Sequence, residues 1–189
     1  MMTHREALEV LAAHHAGKVV VSTMGSVATW PKLSDTPLDF AYNPSSMGQG
    51  IALGLGMALA KPGLGVVVLM GDGSMLMNLG SLVTVAQHAV DLYVLLIDNG
   101  LYEVTGGQPV AGAGRTDFAG LARAAGIARV HSCATVEEWR ATAPEALSGA
   151  GPVFVWLRVR GELGQQTPAP PRPMTQQVAR LRAVLGTST

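Results

Sequence analysis

The sequence predicts an α/β fold: one domain built on a doubly wound, mostly parallel sheet with helices on both faces. Three observations predict it. Continuous apolar runs such as Val66 to Met70 and Leu92 to Ile97 read as strands buried on both sides. Stretches with apolar residues at helical spacing lie between such runs, so strand and helix patterns alternate along the chain. The 189 residues, 48% of them apolar, suffice for one compact core but are short for two. The expected layout is a main domain over residues 1–165, then a Pro-rich arm and C-terminal helix over residues 166–189.

Taken in order, residues 3–16 place Ala7, Leu8, Leu11 and Ala12 on one face, an amphipathic opening helix. Lys18 to Ser22 is a short strand, and Thr23-Met24-Gly25-Ser26 follows it as a turn of small and hydroxyl residues. Residues 31–44, with Pro31, Pro37 and Pro44, are expected to cross the sheet edge as an irregular loop. Ser45-Ser46-Met47-Gly48 then opens a helix through Ala60. Gly48, Ala52, Gly56 and Ala60 fall on one of its stripes, and Gly50, Gly54 and Ala58 on the next. Small residues at this spacing allow close backbone approach, either to a partner or to the protein's own sheet. Between the strands 66–70 and 92–97, Leu79, Leu82, Val83 and Ala86 mark one helix face, which makes a βαβ unit. Further on, Asp117 to Ala125 reads as a helix, Arg129 to Ser132 as a strand and Pro152 to Val159 as another. Thr135 and Glu138 form a capping box for a helix through Leu147, and residues 175–185 form the last helix.

Composition excludes several classes of function. A formal net charge of zero, with 14% charged residues, offers no basic face for nucleic acid. A single cysteine, Cys133, excludes a disulfide framework and a Cys-ligated iron–sulfur cluster carried by this chain alone. The five histidines, His4, His14, His15, His88 and His131, lack metal-ligand spacing and read as surface or core. Residues 40–60 carry no charge, but Asn43, Pro44, Ser45, Ser46, Gln49 and four glycines exclude a membrane span. The amino end lacks the basic-then-apolar profile of a signal peptide, and a cytoplasmic location is expected.

The chemistry lies in the βαβ unit. A right-handed crossover puts Gly71-Asp72-Gly73 and Asp98-Asn99-Gly100 at the same carboxyl edge of the sheet, on strands only ~4.8 Å apart if they are neighbours. Asp72 and Asn99 could then offer a carboxylate and an amide oxygen to one hard cation, with the other positions left to water and phosphate. That donor set suits Mg²⁺ better than Zn²⁺. Gly73 and Ser74 lead into the helix, whose free N–H groups favour a phosphate. Either tripeptide alone is an ordinary turn; together, on one βαβ unit, they read as a magnesium diphosphate cradle.

The motif GDGS, a gap, then Asn resembles the cofactor motif of thiamine diphosphate enzymes. The resemblance implies thiamine diphosphate and Mg²⁺ as cofactors, with the metal held by Asp72, Asn99 and the main-chain carbonyl of Leu101. It adds Gly25 and Ser26 as diphosphate contacts, with Trp30 at the spacing at which the family often carries a Trp. Gly71, Gly73, Ser74 and Tyr102 complete the implied cofactor contacts. Ser45-Ser46-Met47-Gly48 resembles a second element, in which Met47 supports the bent cofactor from below and the Ser45 carbonyl accepts from the 4′-amino group. Met47, Tyr102 and Glu103 are the implied catalytic candidates. The segments SSMG, LMGDGSMLMNLGSL and DNGLYEVTGGQP resemble sulfopyruvate and phosphonopyruvate decarboxylases most, especially the small subunit of the two-subunit sulfopyruvate type. Phosphonopyruvate enzymes usually carry His where Tyr102 stands.

In this family the cofactor is held between two domains, and the second supplies a Glu to N1′ of the pyrimidine. The motifs here are those of the diphosphate domain only, and no acidic residue has a recognisable pyrimidine-domain context. The resemblance therefore implies a 2-oxoacid decarboxylase subunit acting on a small anionic 2-oxoacid, with a pyrimidine-binding partner in a hetero-oligomer. Self-association is expected without that partner. The glycine-rich loop that follows Pro109 and runs to Arg115 could serve as a lid, with Arg115 either meeting an anionic substrate or standing as a solvated loop residue. Two alternatives stay open: another thiamine diphosphate enzyme, such as an acetolactate synthase-like carboligase, and a non-catalytic nucleotide- or phosphate-binding α/β module.

Overall fold

The computed structural model describes residues 1–163 and 169–186. Six parallel strands form the central sheet: β1 (Val19–Thr23), β2 (Asp39–Tyr42), β3 (Val66–Gly71), β4 (Leu92–Asp98), β7 (Arg129–Cys133) and β8 (Val153–Arg158). Their order is β2-β1-β3-β4-β8-β7. The two short strands between, β5 (Leu101–Tyr102) and β6 (Gln108–Pro109), pair antiparallel as a small hairpin at the sheet edge. The helices are α1 (His4–Ala12), α2 (Ser26–Thr29), α3 (Gly50–Ala60), α4 (Asp72–Leu76), α5 (Gly80–Ala86), α6 (Phe118–Ala124), α7 (Val136–Ala146) and α8 (Met174–Leu185).

The period-2 geometry of a strand explains why the sheet is covered on both faces. Along β3, Val67 and Leu69 join Leu8, Leu11 and Trp139 in a core under α1 and α7. Val66, Val68 and Met70 join Ile51, Leu82 and Phe118 in a second core under α3, α5 and α6. A run apolar at every position is what two buried faces require. The expected doubly wound α/β sheet is the one observed.

Local capping agrees with the sequence. Thr3 and Glu6 form a capping box at α1, and Thr135 and Glu138 do so at α7. In α3 the stripe Gly50, Gly54, Ala58 is buried against the sheet, where a Cβ on Gly54 would overlap Val68 and stand 3.1 Å from Leu92 Cδ1. The stripe Ala52, Gly56, Ala60 is exposed.

Three expectations are corrected. Residues 31–44 are not simply a loop: Trp30–Lys32 is a 3₁₀ turn and Asp39–Tyr42 is an edge strand paired in register with β1, Val21 opposite Phe40. The prolines flank this strand, and its four residues are too few to show a period. The helix of the βαβ unit is split, because α4 ends at Leu76 and a turn resets the phase before α5. As a result Leu82 and Val85 are buried while Val83, expected on the apolar face, is 52% exposed.

The domain boundary expected between residues 165 and 166 lies outside the described residues. Beyond it, α8 packs on β2: Gln177 Oε1 accepts from Ala41 N at 2.7 Å, and Arg172 pairs in two places with Asp35. No helix among the described residues is long and apolar enough to cross a membrane.

Candidate functional site

Strand order reverses between β1 and β3, since the chain passes from β1 outward to β2 and then back across to β3. Open α/β sheets bind ligands outside the carboxyl ends of the strands at such a switch point. An open cleft of about 510 Å³ lies there, walled by the turn after β1, by Met47, by Gly71 to Ser74, and by Asn99 and Leu101 to Val104. Among the residues proposed from sequence, Gly25, Ser26, Met47, Gly71, Asp72, Gly73, Ser74, Asn99, Leu101, Tyr102 and Glu103 all line it. Ser45 and Ser46 precede Met47 and are not part of the wall. Arg115 is exposed and lies outside it. Trp30 is 1% exposed and bonds through Nε1 to Asp39 Oδ1 at 2.6 Å, so it anchors the turn after β1 from the core side.

Register places the acids. Gly71 pairs with Ile97, so the next residues, Asp72 and Asp98, emerge side by side. Gly100 N donates to Asp72 Oδ2 at 3.0 Å and to Asp98 Oδ1 at 3.2 Å. Asp98 Oδ2 accepts from Trp156 Nε1 at 2.8 Å, which fixes its carboxylate. Asp72 is only 2% exposed. Burial first, and then the Asp98 carboxylate, push the Asp72 pKa up to about 7, against stabilising N–H donors from Gly73 and its own backbone. A buried carboxylate with a second one beside it is under-compensated, and a cation relieves that repulsion. Asp98 is the acid that the sequence does not single out, because local pattern shows it only as part of the turn beside Asn99.

The remaining donors fit a hard metal with phosphate oxygens completing its shell. Among the described residues no group of three or more His, Cys, Asp or Glu could hold a metal. Any ion here would rely on Asp72, on amide or main-chain oxygens such as those of Asn99 and Leu101, and on ligand oxygens, a set suited to Mg²⁺. Asn99 Oδ1 accepts from Leu101 N at 2.9 Å, which closes a tight turn and brings the Leu101 segment over the cleft.

Ser74 does structural work beside the site. Its Oγ accepts from Gly48 N at 2.7 Å, and Asn78 Nδ2 donates to Gly48 O at 3.0 Å, so the loop carrying Met47 is clamped onto α4. Gly48 has φ +85°, and a Cβ there would meet Asn78 Cβ at 2.9 Å. Tyr102 stacks against Gly73, where any side chain would overlap its ring. Glu103 Oε1 accepts from Glu162 N at 2.7 Å, and burial raises its pKa. Met24, with φ +47°, holds a left-handed conformation on the cleft wall, an example of backbone strain collected at a site.

Residues 24–157 match the family described as thiamine pyrophosphate enzyme, C-terminal TPP binding domain. The chain belongs to the thiamine pyrophosphate enzymes. A phosphonopyruvate decarboxylase of Streptomyces hygroscopicus is 38% identical over 160 residues, which cover 84% of this chain and 39% of the relative. Sulfopyruvate decarboxylase subunit beta of Methanococcus maripaludis is 30% identical over 161 residues, 84% of this chain and 85% of that subunit. The crystal structure of benzoylformate decarboxylase from Polynucleobacter necessarius superposes with a TM-score of 0.68 at 21% identity, over 85% of this chain and 33% of that one; it shares the fold. This thiamine pyrophosphate enzyme domain thus spans about two fifths of the phosphonopyruvate decarboxylases it matches and most of the sulfopyruvate subunit. His4, read from sequence as surface or core, also lines the cleft. No motif or spacing could have pointed to it, because it lies ahead of the matched span.

Proposed function

We propose that this chain is the diphosphate- and Mg²⁺-binding subunit of a thiamine diphosphate-dependent 2-oxoacid decarboxylase of the sulfopyruvate or phosphonopyruvate type. The observation that carries it is the buried Asp72 with the half-buried Asp98 and Asn99 beside it at the strand-order switch point, an arrangement suited to a cation and its phosphate ligand. When bound, thiamine diphosphate supplies a thiazolium that accepts the electrons released as CO₂ leaves a 2-oxoacid. The protein's task is to grip and shape that group. Asp72, Asn99 and the Leu101 carbonyl would hold the metal; Met47 would support the cofactor rings from its clamped loop; Gly25 and Ser26 would meet the diphosphate; Tyr102 and Glu103 line the cleft from the hairpin side.

A separate pyrimidine-binding subunit supplies the activating Glu. The reading is supported by the names of two relatives, both called sulfopyruvate decarboxylase subunit beta, which imply an enzyme of more than one subunit. The substrate is a small anionic 2-oxoacid. The test is tryptophan fluorescence titrated with thiamine diphosphate plus Mg²⁺ and with ADP plus Mg²⁺, followed by CO₂ release from sulfopyruvate, phosphonopyruvate and pyruvate after mixing with the product of a neighbouring reading frame. Tighter binding of ADP would favour the nucleotide-module alternative and end this reading.

A further inference from the structure

His4 reaches the cleft because the chain's entry is stitched to the sheet. Arg160 N donates to Met2 O at 2.9 Å, and Met2 forms a parallel bridge with Val159, just past the end of β8. The Thr3 cap then makes His4 the first residue of α1. Its Nε2 lies 3.0 Å from Ser26 Oγ, and Ser26 is 4% exposed. A Cβ on Gly25 would stand 3.8 Å from both His4 Cε1 and Glu103 Oε2, so imidazole and carboxylate flank the same turn.

Proton counting decides what this contact does. Burial pushes the His4 pKa down to about 4, against the opposing pull of Glu162, so the ring is neutral and carries a single N–H. If Nε2 accepted, the one hydroxyl proton of Ser26 would be turned to the ring and only lone pairs would face the cleft, which repels an anion. If Nε2 donates, that proton is free to point at an anionic oxygen.

We propose that His4 is a positioning residue: as the Nε2–H tautomer it donates to Ser26 Oγ and so directs the Ser26 hydroxyl proton to a diphosphate oxygen of the ligand. This rests on the thiamine diphosphate reading above, and it adds to the phosphate side of the cleft a residue from outside the family-matched residues 24–157.

The experiment has two arms, both on the full chain. In the first, long-range ¹H–¹⁵N correlation on histidine-labelled protein reads the His4 tautomer without any ligand; the Nδ1–H form overturns the proposal and leaves the cofactor reading intact. In the second, calorimetry measures Kd for Mg²⁺–pyrophosphate and Mg²⁺–thiamine diphosphate in wild type, H4F, H4Q, S26A and H4F/S26A. One lost charge-assisted hydrogen bond corresponds to about tenfold weaker binding. H4F and S26A should each show that loss, the double variant should bind no worse than S26A, and H4Q, whose amide can donate, should stay within about threefold of wild type. Additive losses, or H4F binding like wild type, overturn the proposal. Should H4F fail to fold, the tautomer and the H4Q comparison decide. A wild type that binds neither probe sinks the cofactor reading itself, together with the ligand-directed role of His4.

Discussion

Asp72 and Asp98 share one backbone proton donor: Gly100 N stands 3.0 Å from an oxygen of the first and 3.2 Å from an oxygen of the second. The pair exists because β3 and β4 are neighbours with Gly71 opposite Ile97. It gives the metal-free fold an electrostatic burden that a divalent cation would offset.

The first prediction concerns pH. The folded-state pKa of Asp72, about 7, lies above the ordinary carboxylate value of 3.8. The folded state therefore binds the proton more tightly than the unfolded state, and this group's contribution to stability falls as pH rises from about 4 to about 7. Melting temperature without metal should decline over that window relative to an Asp72→Asn variant. Because a proton competes with the cation, the Mg²⁺-induced rise in melting temperature should be larger at pH 8 than at pH 5. Parallel pH profiles for the two proteins would contradict this.

Asp72→Ala should weaken Mg²⁺-dependent binding of thiamine diphosphate by roughly 100-fold or more, since even outer partners of metal ligands matter by 10–100-fold. Calorimetry with and without Mg²⁺ checks this. Unchanged affinity together with unchanged melting temperature would make Asp72 a turn residue only.

Met47→Ala should leave diphosphate affinity nearly intact, because the residue acts on ring geometry. Exchange of the cofactor C2 proton, followed by NMR in the assembled enzyme, should slow on the order of tenfold or more, as expected for lost positioning. Equal exchange rates in variant and wild type would remove Met47 from the mechanism.

The two glycine stripes of α3 should respond oppositely. A Cβ at Gly54 overlaps Val68, so Gly54→Ala should destabilise by ~1–3 kcal/mol, less the gain in helix propensity. At Gly56 a Cβ meets nothing within 4 Å, and Gly56→Ala should stabilise the isolated chain by ~0.5–1 kcal/mol. Denaturant unfolding distinguishes the two. If Gly56→Leu also weakens capture of the partner subunit, that stripe is part of the shared interface; unimpaired capture would exclude it.

The purified chain alone should release no CO₂ from any of the three 2-oxoacids and gain activity only with a pyrimidine-binding polypeptide. A coupled CO₂ assay with and without that partner tests this. Full activity of the isolated chain would relocate the activating carboxylate, with Glu103, already on the cleft wall with its pKa raised by burial, the first residue to substitute.

Much of this was legible in the sequence, because local chemistry announces it. Continuous apolar runs announce strands buried on two faces, Thr3 with Glu6 and Thr135 with Glu138 announce helix starts, and Gly-Asp-Gly and Asp-Asn-Gly announce turns at strand ends. The crossover rule was then enough to bring Asp72 and Asn99 to one edge. What the tertiary structure alone decided depends on contacts between distant segments. The neighbouring of Asp72 and Asp98 needs a strand register that no single-strand pattern encodes. The edge strand Asp39–Tyr42 is too short to show its period and is defined by pairing with β1. Val83 faces outward because a turn after Leu76 resets the helix phase. His4 stands in the cleft because a bridge between Met2 and Val159 ties the start of the chain to the end of β8, and a contact across that much sequence leaves no trace in the local composition of either segment.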